Sequence, residues 1–200
     1  VGRVRGRITV TPSAITQAEL PLTPDGAHVW RPFAPVSRVT CDLEADGWQW
    51  DGHGYFDANF GTRALESDFA FWTWGRFPTR GGATCFYDAT RRDGTTLASA
   101  MHFDTNGRAQ DIPLPARHCV RRSLWQVRRD TRGDVDARPR QVMNMLDAPF
   151  YYRSMMETRL NGDPTVGVHE ALDLRRFRSP LIKPMLAMRV PRRARWDFGL

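Results

Sequence analysis

Asp57 lies in the run Gly52-His53-Gly54-Tyr55-Phe56-Asp57-Ala58-Asn59-Phe60-Gly61, with Tyr55 two residues before it. Side chains alternate between the two faces of an extended strand. Counting from Trp48, one face receives Gln49, Asp51, His53, Tyr55, Asp57 and Asn59. The other receives Trp48, Trp50, Phe56 and Phe60, with Gly52 and Gly54. A carboxyl group and a phenol side by side, in aromatic company, suit proton transfer if that face looks into a pocket. A strand with a solvated polar face is the plain alternative, and alternation by itself favours it.

Other chemistries have weaker support. His28, His53, His102, His118 and His169 are scattered, and only His118-Cys119 brings a histidine beside another soft ligand, so a metal centre is not expected. No Gly-x-Ser-x-Gly elbow points to a nucleophilic hydrolase. No Gly-x-Gly-x-x-Gly or Walker-type loop offers a seat for a nucleotide. What remains is cofactor-free acid–base work by Asp57, Tyr55, His53 or His28, or no chemistry at all.

These residues need strands to hold them, and the chain reads as nearly all strand. Turn signals recur at Arg92-Asp93-Gly94, Thr105-Asn106-Gly107 and Asn161-Gly162-Asp163. Between them lie alternating or aromatic runs at 69–77, 83–90, 95–103, 123–129, 150–160 and 164–173. Short strands joined by Asn-Gly and Asp-Gly turns predict antiparallel hairpins in an all-β sandwich or barrel. Arg3, Arg5 and Arg7 alternate with Val4 and Ile8 as though a strand were already under way. Proline-rich stretches at 21–35, 113–115 and 138–140 read as extended connections. Pro180 and Pro184 confine Leu181-Ile182-Lys183 to a loop or short turn. Seven tryptophans, with Trp48/Trp50 and Trp72/Trp74 at spacing i,i+2, predict an aromatic core that a flat apolar ligand could use.

A chain of 200 residues suits one domain with a real core. Cys41, Cys85 and Cys119 are odd in number and widely spaced, so neither a disulfide framework nor a zinc motif is expected. The net charge is +7, carried almost wholly by arginine, since Lys183 is the only lysine. The pairs Arg91-Arg92, Arg121-Arg122, Arg128-Arg129, Arg175-Arg176 and Arg192-Arg193 are spread along the chain rather than gathered into a nucleic-acid module. Attraction to an anionic membrane surface fits such a distribution, as does a simple solvated basic surface. Nucleic acid is not expected as a partner.

Seven segments carry a resemblance to a known family. They are Val29-Trp30-Arg31-Pro32-Phe33-Ala34-Pro35, Trp48 to Arg63, Phe69 to Pro78, and Cys85 to Gly94. Ala148-Pro149-Phe150-Tyr151, Val168 to Asp173, and Pro184-Met185-Leu186-Ala187 complete the set, in order along most of the chain. In these segments the sequence resembles the carotenoid 1,2-hydratases, also called hydroxyneurosporene synthases. Phe56, Ala58 and Phe60 stand where wider relatives of that family often have His, His and Trp, which favours the hydratases themselves.

The resemblance implies a lipocalin-like, all-β domain over residues 1–200: an antiparallel barrel or open sandwich with a hydrophobic cavity. It also implies that the chain is the C-terminal half of a longer two-domain protein. The implied reaction is addition of water to the terminal double bond of an acyclic carotenoid such as neurosporene or lycopene, giving a tertiary alcohol with no cofactor. By the same resemblance Asp57 is the proton donor, because it is the carboxylate at the family motif. Tyr55 would hydrogen-bond Asp57 or position the water, Trp30 would stabilise the cation, and His28 would accept the proton that the water releases. Peripheral contact with lipid on the cytoplasmic face of a bacterial inner or photosynthetic membrane follows from so apolar a substrate. The rival readings are a non-catalytic carrier of a hydrophobic ligand, and a related isomerase or cyclase.

Overall fold

Two antiparallel sheets face each other across an aromatic core, in a computed structural model that describes residues 5–44 and 48–187. Arg3, Val4 and the pair Arg192-Arg193 lie outside the described residues. The first sheet is built on β3 (His28–Leu43). β1 (Gly6–Pro12) pairs with its second half, β2 (Leu20–Pro21) with its first residues, and β4 (Gln49–Gly61) along its other edge.

A single helical turn, α1 (Leu65–Asp68), leads into the second sheet. Its first strands are β5 (Phe69–Thr79), β6 (Gly82–Arg91), β7 (Thr96–Asp104) and the short β8 (Ala109–Asp111). The chain then crosses the outer face of that sheet, forming the small ribbon of β9 (Ala116–His118) and β10 (Thr131–Gly133) on the way. It re-enters the sheet as β11 (Arg140–Asp147), β12 (Tyr151–Leu160) and β13 (Asp163–Asp173), giving the order β11-β12-β13-β5-β6-β7-β8. A second turn of helix, α2 (Leu174–Phe177), and a 3-10 turn at Lys183–Ala187 follow. No ladder joins the two sheets among the described residues, so the all-β architecture is an open sandwich rather than a closed barrel.

The turn chemistry explains the hairpins. Asn161 and Gly162 take φ values of 54° and 83°, the left-handed pair that a tight two-residue hairpin between β12 and β13 requires. Asp93 accepts from the Thr95 backbone N–H at 2.9 Å and shapes the β6–β7 turn. Between the sheets lie Trp30, Phe69, Trp72, Trp74, Tyr87 and Phe103, all buried. On the outer side of the second sheet, Phe77, Phe86 and Met156 are covered by Ile112 and Val120 of the crossing segment.

Three expectations are corrected. The run 123–129 is not a strand: Gln126 has φ 62° and the Arg129 guanidinium donates to the backbone carbonyls of Arg121 and Arg122. Arginine side-chain bonds there replace a backbone ladder, and Val127 alone tucks into the core. The proline-rich stretch 21–35 is not one connection, because β3 begins at His28. Pro32 and Pro35 fall where the β3–β4 register shifts, at places where a missing N–H breaks no ladder bond. Trp48 and Trp50 lie outside the core, 55% and 53% exposed.

Candidate acid site

β4 turns the Tyr55 and Asp57 part of its polar face inward, while Gln49, Asp51, His53 and Asn59 stay exposed. Phe56 and Phe60 point out and are 56% and 51% exposed, while Tyr55 and Asp57 are half-buried against the second sheet. Register explains the neighbours of Asp57. Trp30 pairs with Asn59 across the β3–β4 ladder, which places its indole diagonal to Asp57. Indole Nε1 donates to Asp57 Oδ2 at 2.7 Å. The indole itself is wedged among Trp74, Tyr87 and Phe103, with ring centroids 5.9–6.4 Å away.

Tyr55 reaches further across. Its ring lies 5.3 Å from that of Trp74 and 5.9 Å from the Arg76 guanidinium carbon. Its hydroxyl accepts a hydrogen bond from Arg153 Nη2 at 2.8 Å. Arg153 Nη1 in turn lies 3.1 Å from Glu170 Oε1. Register again provides the reason: Arg153, Glu170, Trp74 and Tyr87 are successive cross-strand partners on β12, β13, β5 and β6. They form one row on the face that looks toward the first sheet.

This environment disfavours an isolated negative charge. Burial pushes the Asp57 carboxyl above the ordinary carboxylate range, opposed by the Trp30 N–H and the Arg153 charge. Burial also raises Tyr55 and Glu170, with Arg153 opposing in both cases. The indole bond occupies Oδ2, which leaves Oδ1 as the oxygen that a protonated Asp57 would donate from. A neutral carboxylic acid held by one bond and walled by rings is suited to protonating a weakly basic carbon centre.

The space beside Asp57 is tight. Trp30, Pro32, Pro35, Tyr55, Trp74 and Cys85 are among the residues that pack around it, with no water-sized void between them. The hydrophobic cavity expected from the sequence is therefore a packed cleft. Past Tyr55 the same face of β12 and β13 continues with the half-buried Met155, Val168 and Leu172.

Of the four residues singled out in the sequence, Asp57, Tyr55 and Trp30 line one cleft, and His28, two residues before Trp30 on β3, is held by contacts of its own. His28 is buried, with Nε2 2.8 Å from Asp68 Oδ2 and its ring 5.2 Å from that of Phe69. Asp68 also receives Arg63 Nε at 2.6 Å, so His28 belongs to a network that joins the end of β3 to α1. Asp51 pairs with Arg38 where the first sheet projects beyond the core. Exposed His53 lies on the same projection.

Arg153, Glu170 and Arg76 were not anticipated. The signal for the first two was present: Arg153 falls on the Tyr151/Met155 face of its strand, and Glu170 on the Val168/Leu172 face. A charge on an otherwise apolar face asks for a buried partner. Among the described residues, no group of three or more His, Cys, Asp or Glu side chains is placed to hold a metal ion.

Known proteins add an independent line. The model of the carotenoid hydratase CrtC family matches residues 1–199. An acyclic carotenoid 1,2-hydratase from Cereibacter sphaeroides is 61% identical over 199 residues, covering 100% of this chain and 71% of the relative. One from Rhodobacter capsulatus is 55% identical over 197 residues, covering 98% of this chain and 70% of the relative. One from Thiocapsa roseopersicina is 44% identical and longer, so that the match covers 95% of this chain and 47% of the relative. Among solved structures, an AttH protein of Nitrosomonas europaea is similar with a TM-score of 0.55 at 17% identity. That match covers 84% of this chain and 61% of the other, and it speaks to the fold alone.

Proposed function

The chain belongs to the carotenoid hydratase family, and on that premise we propose that it is a hydro-lyase working in the hydration direction on acyclic carotenoids. The substrates of this reading are neurosporene, lycopene and similar polyenes, and the reaction needs no cofactor. Asp57 donates its Oδ1 proton to the less substituted carbon of the terminal double bond. The pair of π electrons becomes the new C–H bond, leaving a tertiary carbocation. Water adds to that cation, and the Asp57 carboxylate takes back one proton from the oxonium, so the tertiary alcohol leaves with the enzyme unchanged.

The observation that carries this reading is the Asp57 carboxyl itself, half-buried and fixed by the Trp30 indole N–H at 2.7 Å. Tyr55 stands on the same face to hold the water. Trp74, which lines the cleft, and Trp30 offer π faces to the cation, an interaction of roughly 0.5–2 kcal/mol and more when dry. His28 supports the end of β3 through Asp68 in this reading, and recovery of the proton falls to Asp57. Incubation of the purified full-length protein with lycopene, followed by mass analysis, should show a product heavier by one water. Recovery of unchanged lycopene under conditions where the protein binds it would favour a carrier.

The substrate dissolves in lipid, and the outer face of the first sheet supports a docking role on an anionic bilayer. Trp48, Trp50, Phe56 and Phe60 are all more than half exposed there, and Phe33 stacks on Phe56 with centroids 5.5 Å apart. The Arg31 guanidinium lies 6.0 Å from the Phe60 centroid, which places a cation at the rim of the apolar patch, as an anionic surface requires. This reading places the protein on the cytoplasmic face of a bacterial inner or photosynthetic membrane. Sedimentation with phosphatidylglycerol vesicles should retain the protein, and phosphatidylcholine vesicles should retain less. Phe56→Ser with Trp50→Ser should release it. Self-association without vesicle binding would assign the patch to a protein partner instead.

A further inference from the structure

Tyr55 has one hydroxyl proton, and its neighbour decides where that proton points. Arg153 Nη2 donates to the hydroxyl oxygen at 2.8 Å, and a guanidinium has no acceptor to offer in return. The Tyr55 O–H is therefore free to donate to a group in the cleft. Arg153 is itself held on its other branch by Glu170 at 3.1 Å.

We propose that the Arg153–Glu170 ion pair is the positioning unit of the acid site. Arg153 fixes Tyr55 as an acceptor, and Glu170 cancels the positive charge that would otherwise draw the proton off Asp57. The proposal rests on the reading of Asp57 as proton donor. It gives a use to two half-buried charges in an apolar row, where either one alone would be costly.

The groups that face Asp57 make its sign calculable. From β3 comes the Trp30 N–H, and from its own strand Tyr55. β5 contributes Arg76, and β6 contributes Cys85 and Tyr87. β12 contributes Arg153, and β13 contributes Glu170. Cys85 and Tyr87 are raised by burial and stay neutral. Arg76 is held apart by donation from Nε to the Pro35 carbonyl at 2.9 Å. The pair on β12 and β13 is thus the part of the wall where removal of one charge exposes the other.

Removing Arg153 removes a cation that favours the Asp57 carboxylate, so the Asp57 titration should move to higher pH. Removing the Glu170 charge leaves Arg153 uncompensated, so the titration should move to lower pH.

The test is carbon-13 NMR of the full-length protein labelled at the aspartate carboxyls, with the Asp57 resonance assigned by its loss in Asp57→Asn. This readout needs no substrate, so it separates a failure of the ion-pair proposal from a failure of the hydratase reading, which lycopene turnover by the unmodified protein decides. Arg153→Met should raise the Asp57 midpoint, and Glu170→Gln should lower it, each by about one pH unit. Arg153→Lys keeps the charge without the fork, so the midpoint should stay near that of the parent. With lycopene, Arg153→Lys should still lose about tenfold in kcat, because Tyr55 is no longer held. Thermal melts identify any variant that fails to fold, and Arg153→Lys with Glu170→Gln suffice if Arg153→Met does. Shifts of the same sign in Arg153→Met and Glu170→Gln, or an unmoved midpoint in Glu170→Gln, would overturn the proposal.

Discussion

Two aspartates, Asp57 on β4 and Asp88 on β6, are both taken largely out of water, and the protein treats them in opposite ways. Asp88 looks to the outer side of the second sheet, where Arg132 meets it with both guanidinium branches, Nε at 2.8 Å and Nη2 at 2.5 Å. The remaining branch of Arg132 donates to the Pro115 carbonyl at 2.7 Å. Every charge there has a matched partner, and the ion pair locks the crossing segment to the sheet. Asp57 has one neutral donor at 2.7 Å and, among the described residues, no guanidinium in contact. Full satisfaction ties a carboxylate down, whereas partial satisfaction in an apolar wall favours keeping the proton. Burial of charge is common to both sites, so the chemistry follows from what burial leaves unpaired.

The comparison breaks most sharply if the two sites respond alike to the same change. Asp88→Asn should destabilise the protein by about 3–5 kcal/mol, since it strands a buried guanidinium, while turnover per folded molecule stays near that of the parent. Asp57→Asn should do the reverse and lower kcat by about 10²–10⁴-fold or more without loss of fold. Urea melts paired with lycopene turnover on both variants read the contrast directly.

The sites should also fail at opposite ends of the pH scale. Asp57 is raised on folding, so its neutral form contributes stability at low pH that is lost as pH climbs through its folded value. Asp57→Asn should therefore melt higher than the parent, with a gap that widens as pH rises. On the outer side, buried His169 bonds the Asp130 carbonyl at 2.9 Å, and burial lowers its pKa from 6.5 to about 4. Its neutral form contributes stability that is present above pH 6.5 and lost as pH falls toward about 4. His169→Gln should flatten that acid limb of the melting curve and leave the alkaline limb unchanged.

Smaller effects sharpen the picture inside the acid site. Tyr55→Phe removes one hydroxyl and should lower kcat about tenfold, more than it changes KM. Added to Asp57→Asn it should cost little further, because the two side chains act as one unit. Trp30→Phe keeps the packing and removes the N–H, which should move the Asp57 titration upward by about half a pH unit or more.

Much of this was legible in the sequence because alternation is a strong constraint on a strand. The Asn161-Gly162 turn, the hairpin strands and the shared face of Tyr55 and Asp57 all follow from local spacing. The orientation of that face was open, since an aromatic row opposite a polar row reads naturally as aromatic side in. The contact between Trp30 and Asp57 depends on the β3–β4 register, which bulges at Pro32 and Pro35 set and spacing alone does not reveal. His28 shares a strand face with Trp30, yet the pairing of Gly61 opposite it turns its ring toward Asp68. Arg153 is 98 residues from Tyr55 along the chain and Glu170 further still, and only the order of strands in the second sheet brings them to it.

The central claim is that Asp57 delivers the proton that starts hydration. A single turnover of lycopene by full-length protein equilibrated in deuterated water tests it most directly, with unmodified protein and Asp57→Asn run side by side. The unmodified protein should form a tertiary alcohol with one deuterium on the neighbouring carbon, and folded Asp57→Asn should form neither. A deuterated alcohol appearing at a near-normal rate in Asp57→Asn would contradict the account and assign the proton to another group.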